Sequence, residues 1–358
     1  MPYKISGELS DVARIIVIKE SDWSIESNTE ESVGAYEIVG LVPGDKFVIA
    51  RKSDGESSGY GSITPDHSVG DRGLFAGGTG PINTIEYITI SSVGNGINFG
   101  DLTVARQTLA AASNGTIDGG LFAGGTTGAN TNVVDYVTIS SIGDAVDFGD
   151  LDPTRREHAG TSNNINSRAV FGGGVTELSS IDYITITSLG NSQDFGDLTL
   201  GRQAFGATSN GANDRGVFAG GYNYTNIMDY ITISSTGDAT DFGDLTLARY
   251  INNGACSNGT GERGLFGGGF DGVNRSNVID YITISSTGNA QDFGDLTIAA
   301  NGRTATDNAT GGRGVWGGGT TGIAQNVIEY VTITSTGNAN DFGDLTSARY
   351  NMASTSNA

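Results

Sequence analysis

The chain has a single cysteine, Cys256, in 358 residues. No internal disulfide can form, so stability must come from packing and strand pairing, and no redox compartment is implied. Cys256 reads as a small buried residue. Lysine is absent after Lys52, and histidine is limited to His67 and His158. The formal net charge of −21 repels phosphate backbones and anionic lipid heads, which argues against nucleic-acid and membrane-surface roles. Purely aliphatic runs are as short as IIVI at residues 15–18, against the roughly 20 apolar residues of a transmembrane helix. Residues 1–8 lack the apolar stretch of a secretory signal, so assembly in the cytoplasm is expected.

Glycine is abundant, at 57 residues without a collagen period, and the 37% hydrophobic content falls in short β-branched and aromatic runs that suit strands. The chain is expected to be all-β. From about residue 67 one unit returns six times, most fully as RGVFAGGYNYTNIMDYITISSTGDATDFGDLTLAR at residues 215–249. The aromatic residue before its double glycine falls at Phe75, Phe122, Phe171, Phe218, Phe266 and Trp316, about 48 residues apart. Each unit holds four strand candidates. The first begins at an arginine and ends in Ser-Asn, as in RQTLAAASN from Arg106, and its small residues suit the crowded axis of a propeller. The second is RGLFAGG and its relatives. The third carries Tyr87, Tyr136, Tyr183, Tyr230, Tyr281 or Tyr330, and the fourth contains DFGDL.

This order of arginine-led strand, aromatic with double glycine, and tyrosine strand resembles the kelch repeat, whose period is also about 50 residues. The resemblance implies a β-propeller of six blades over residues 66–358. It departs in the outer strand, where kelch usually has Trp and this chain has Phe99, Phe148, Phe195, Phe242, Phe293 and Phe342. The copy at Arg72 lacks a first strand, whereas RYNMASTSN from Arg349 is a first strand without a sequel. The C-terminal strand is therefore expected to complete the first blade and close the ring.

Residues 1–65 hold no copy of the repeat. Apolar-polar alternation and turn signals there suggest a small β-sandwich. The run GAYEIVGLVPGDKFVIARKSDG, residues 34–55, resembles transthyretin-like, carboxypeptidase-regulatory-like modules, which implies a connecting or anchoring role. Its size is near the lower limit for an independent core, so docking or homo-oligomerisation through it is expected. SITPDHSVGD, residues 62–71, reads as the linker.

DFGD matches the magnesium motif of kinases in letters only, because it recurs six times in an all-β repeat without lysine. Asp147, Asp150 and their counterparts are expected to cap turns or to pair with the arginine opening the next strand, such as Arg155; calcium is the alternative. Arg106, Arg155, Arg202, Arg249 and Arg349, with Ala300 in the sixth place, would pair with those acids rather than form a cationic ring. No phosphate loop, nucleophile, base, metal site or cofactor is expected. The stretch between double glycine and tyrosine strand varies from eight to eleven residues, which marks surface loops on one face. Tyr222, Tyr224, Phe270, Asp271 and Arg275, in two adjacent copies, are the candidate binding residues.

The near-identity of DYITISSTGNAxDFGDLT between copies, joined to this kind of N-terminal module, resembles virion structural proteins of marine and cyanobacterial tailed bacteriophages. That resemblance implies a non-enzymatic tail fibre, tail-tip or capsid-surface appendage. Residues 1–65 would dock to other virion proteins, and the propeller loops would meet a host polysaccharide or receptor. The alternatives are a glycan-active propeller enzyme, which needs a cluster of unpaired carboxylates at the axis, and a purely structural decoration protein.

Overall fold

The computed structural model describes residues 70–358, and of residues 1–69 the backbone of five strands. The chain divides into two compact units, Met1–Ser68 and Val69–Ala358. In the first, Tyr3–Leu9 pairs with Gly34–Leu41, and Ala13–Ile18 lies between Ile25–Glu31 and Lys46–Lys52, all antiparallel. Their side chains, and with them the expected sandwich core and the linker before residue 70, lie outside the described residues.

The second unit is a propeller of six four-stranded antiparallel blades. The second blade shows the plan from the axis outward: Ala110–Ser113, Gly119–Ala123, Val133–Thr138 and Val146–Asp150. At the axis, Ala111, Gly160, Ala207, Ala255, Ala305 and Ser354 pair in register with Phe122, Phe171, Phe218, Phe266, Trp316 and Phe75. All six of those rings are fully buried between blades. A side chain added at Gly160 would meet the Phe171 ring at 2.8 Å, so small residues here are a packing requirement. Cys256 takes the place of Ala112 and Thr208 on its inner strand, and is buried as expected.

The ring closes as the strand count requires, because Ala353–Ser356 pairs with Arg72–Ala76 and supplies the first blade's inner strand. The terminal asparagine of each inner strand accepts the backbone N–H that opens the second strand, as Asn210 does from Arg215 at 2.7 Å. In the first blade Asn357 accepts the Arg72 N–H at 2.9 Å, so the same local bond joins residues from opposite ends of the unit.

The repeated DFGD turns out to be a seam between blades. Beside Phe99-Gly100-Asp101 lies the turn of the next blade: the Gly143 N–H reaches the Phe99 carbonyl at 2.9 Å and the Ala145 N–H reaches the Asp101 carbonyl at 2.8 Å. The Asp144 carboxylate takes the Asp101 N–H at 3.0 Å. Gly100 sits at φ +157°, and a Cβ there would run into the Gly143 carbonyl. The pattern continues to the last seam, where Gly94 meets Phe342 and Asn95 accepts the Asp344 N–H. Sequence identity in this stretch is therefore the identity of six equivalent joints.

The arginines correct two expectations. Arg106, Arg155, Arg202, Arg249, Arg303 and Arg349 are buried and pair with Asp135, Asp182, Asp229, Asp280, Glu329 and Glu86. Their partner is thus the acid before the third-strand tyrosine, not a DFGD carboxylate, since Asp147 and its counterparts face outward on the outer strand. The ring also has its sixth arginine. Ala300 keeps the backbone role of that position, its carbonyl accepting the Gly269 N–H as that of Arg155 accepts from Gly125, while the guanidinium comes from Arg303. Arg155, Arg202, Arg249 and Arg349 stand in the connections a few residues ahead of the inner strands, whereas Arg106 ends the first blade's outer strand and Arg303 directly precedes Thr304–Asp307.

A second set, Arg72, Arg168, Arg215, Arg263 and Arg313, opens the second strands. Each guanidinium lies 4.3–4.7 Å from the centroid of its own blade's tyrosine. Each also donates to a carbonyl at the end of the next blade's third strand, as Arg72 does to Ile139. The second blade has Gly119 here, and Tyr136 lies at 26° to Phe148 where the other five tyrosines stand at 74–77° to their phenylalanines.

Two outcomes are expected. Deleting residues 350–358 should lower the melting temperature sharply or cause aggregation, because it strips the inner strand from Arg72–Ala76; a soluble truncation with unchanged melting would contradict closure. Gly119→Arg should stabilise the propeller in urea by about 1 kcal/mol, the worth of a cation-π contact, with Tyr136 turning to the orientation of its counterparts.

Candidate functional site

Strand direction decides which loops share a face. The variable loops follow the second strands, at the end where outer strands hand over to the next blade, so loops and arginine-bearing connections lie together. Two local conformations bring aromatic rings to one sector of this face. In the fourth blade's loop, Asn223 and Tyr224 both adopt left-handed backbone, at φ 68° and 53°, which costs of order 1–2 kcal/mol per residue outside glycine. In the fifth blade's loop, Phe270 bridges both Tyr250 and Arg275.

The resulting cluster has Tyr224 at its centre, with ring centroids 6.2 Å from Tyr222, 6.2 Å from Tyr250 and 6.0 Å from Phe270. Tyr250 and Phe270 are 5.6 Å apart. Tyr222 and Tyr224 remain 45% and 37% exposed, so the cluster has a solvent-facing surface. Tyr250 is the member that sequence reasoning missed, because it follows Arg249 in a segment that reads as inner strand. Its hydroxyl accepts from Asn301 at 3.0 Å, and Asn301 in turn accepts from the Arg275 Nε at 3.0 Å. Burial raises the Tyr250 pKa, with Tyr224 adding to the shift. At the other edge Asn223 donates to Glu177 at 2.6 Å.

Four of the five expected residues thus meet. The fifth, Asp271, has its carboxylate occupied by the N–H groups of Val273 and Asn274 at 2.8 and 2.7 Å, which lower its pKa and make it a turn-former. The other arginines explain why Arg275 stands out. Of the 13 arginines after residue 66, six are held in buried acid pairs and five lie over tyrosines. Arg156 and Arg275 remain, and both are on the loop face.

The opposite face breaks symmetry differently. Val93, Ile142 and Leu189 occupy the turn before the outer strand in the first three blades, where the others have Thr236, Thr287 and Thr336. They are exposed, Leu189 by 76%, and Ile97 and Val146 add to them. The seam bonds place each such turn beside the preceding outer strand, so the five form an apolar arc along the rim.

Among the described residues, the one histidine and the one cysteine are both buried. His158 fills the core position that Leu109, Phe205 and Met352 hold in other blades, with its ring 6.1 Å from Phe171. Burial, with Arg155 and Arg106 nearby, pushes its pKa well down. His67 lies outside the described residues. Burial pushes the Cys256 thiol well up. Among the described residues no three His, Cys, Asp or Glu side chains converge as a metal site, and the six buried seam acids are each matched by an arginine.

The fold and this site define a six-bladed propeller that presents an aromatic surface on its loop face. No protein-family model matches the chain, and no curated protein matches it.

The third blade carries an electrostatic irregularity. The seam acids accept from a threonine of the preceding blade, as Asp135 does from Thr103 and Asp280 from Thr246. Asp182 has Asp152 in that place. Burial, opposed by Arg155 and reinforced by Asp194 and Asp152, raises the Asp182 pKa to about 6. An unfolded aspartate titrates near 3.9, so the native state holds this proton more tightly and the carboxyl's contribution to stability falls as pH rises from about 4 to about 6. Asp152→Thr supplies a donor and removes a charge. Its melting temperature should exceed that of the parent at about pH 7.5, with the difference shrinking towards about pH 4.5; a pH-independent difference would exclude Asp182 as the cause.

Proposed function

We propose that this chain is a non-enzymatic recognition protein, a bacteriophage tail fibre, tail-tip or capsid-surface appendage. Its propeller presents the loop face to a host-surface polysaccharide or receptor, and residues 1–65 dock it to other proteins of the particle. The reading rests on the cluster of Tyr222, Tyr224, Tyr250 and Phe270 beside Arg275. Exposed aromatic faces flanked by a guanidinium and amides suit sugar rings, which bring apolar C–H faces and polar edges together. The cluster arises where the repeat departs from its own consensus, whereas the shared residues are consumed by packing and seams. The resemblance of repeat and N-terminal module to phage virion proteins supplies the biological setting.

A second reading, a decoration protein that binds only the particle, is favoured by the apolar arc around Leu189, since contiguous exposed apolar side chains suit a protein contact. The combined variant Tyr222→Ala, Tyr224→Ala, Phe270→Ala and Arg275→Ala separates the two. It should keep its circular dichroism spectrum and lose binding to host cells or their purified polysaccharide by tenfold or more, equivalent to about 1.4 kcal/mol. Undiminished binding would reject the aromatic face; a propeller that binds particles and never cells would leave the decoration role.

A further inference from the structure

Five blades carry a guanidinium in one place, and the second blade does not. In those five, the arginine that opens the second strand lies 4.3–4.7 Å from the centroid of its blade's tyrosine. Its Nη1 also donates to a carbonyl of the next blade at 2.9–3.1 Å. The accepting carbonyls belong to Ile139, Ile233, Ile284, Ile333 and Ile90, so Ile186 of the third blade is the sixth member of the series.

The second blade has every part of this arrangement except the side chain. Gly119 pairs with Thr138 as Arg168 pairs with Thr185, and Tyr136 stands opposite Leu121 as Tyr183 stands opposite Val170. Gly119 is not in left-handed backbone, so the chain path does not call for glycine. Ile186 is buried, and among the described residues no group donates to its carbonyl. A buried carbonyl without a donor is costly, which makes it an acceptor for a ligand. Tyr136 lacks its cover as well. The ring leans into the place of the missing side chain, a Cβ at Gly119 falling 3.0 Å from it, and lies at 26° to Phe148 where the other blades have 74–77°.

The five other copies show what fits. A planar cation lies over the ring and turns an N–H sideways to the carbonyl, which a guanidinium does and an ammonium, a compact point charge, does not. The place reaches solvent, since Arg168, Arg215, Arg263 and Arg313 are only half-buried. Its surroundings suit a protein segment. Leu189 is exposed in the turn that follows Ile186, and Ile142 is exposed in the turn after the strand of Tyr136. The net charge of −21 favours the approach of a cation. We propose that the seam between the second and third blades binds an arginine side chain of a partner protein, its guanidinium over Tyr136 and bonded to the Ile186 carbonyl, its apolar neighbours against Leu189 and Ile142.

The site is independent of the loop-face reading, and the purified full chain tests it. With fluorotyrosine in place of tyrosine, the fluorine resonance of Tyr136, assigned through Tyr136→Phe, should be followed during titration with ethylguanidinium chloride or ethylammonium chloride. Ethylguanidinium should give a saturable shift that ethylammonium does not. Gly119→Arg carries its own guanidinium in this place and should show no such shift. Arg215→Gly opens the equivalent place in the fourth blade and should add a second saturable shift, at Tyr230. The peptide acetyl-Leu-Arg-Leu-amide should reach half-saturation at a concentration about tenfold lower than ethylguanidinium, because its apolar flanks are buried as well. No saturable shift in the parent, or one that persists in Gly119→Arg, would overturn the site. A peptide that binds no tighter than ethylguanidinium, or self-association of the parent that Gly119→Arg abolishes, would overturn the partner protein as its occupant.

Discussion

Burying six arginines inside one small propeller is tolerable only because each is met by a carboxylate. That pairing is the constraint from which the rest of the architecture follows. Removing one member of a buried pair typically costs about 3–5 kcal/mol, since the other charge is left stranded in a low dielectric. Each acid here does more than neutralise. Glu86 takes the Thr346 hydroxyl and backbone N–H as well as the guanidinium of Arg349, so it fastens the segment leaving the sixth blade onto the first. The same arrangement recurs at the other seams, with Asp152 the one exception to the threonine. Blade contacts in a ring are thereby polar and specific where the inner rings of phenylalanine are apolar and tolerant.

The period, the four strands and the closing strand were legible in the sequence because aromatic residues, double glycines and small-residue runs carry them locally. Partner choice was not. The acid that meets Arg155 lies 27 residues away on the third strand, and nothing local distinguishes it from the nearer aspartates of DFGD. Arg303 escaped notice because its backbone is displaced by three residues while its head group occupies the standard place. Tyr250 was hidden by its neighbour Arg249, which marks a strand in the repeat pattern but stands in a connection in the fold. For the site, loop variation pointed to Tyr222, Tyr224, Phe270 and Arg275, and the tertiary structure alone shows that the rings of Tyr222 and Phe270 both pack against Tyr224. Asp271 looked like a ligand-facing acid because Asx turns have no signature beyond the residue itself.

A repeat protein supplies its own controls. Where six copies agree, as at the DFG glycine, the shared residue answers a contact made six times. Where one copy differs, the five others show that the fold does not need the change. By that standard Gly119 and Asp152 are departures that loosen a seam, and Tyr224 and Phe270 are departures that build a surface. Leu189 and its companions belong with the second kind, since threonine serves the turn equally well in the other three blades.

Closure by Ala353–Ser356 also bears on how the molecule comes into being. The innermost strand of the first blade follows every other propeller strand in the chain, so blades can form in order while the ring stays open. Until those residues emerge, Arg72–Ala76 has a bare edge, and the acid Glu86 waits for Arg349. Pairing across such sequence separation is slow because loop closure must precede any contact energy. The nascent chain therefore passes through a stage with one exposed strand edge, when association with another copy competes with its own completion.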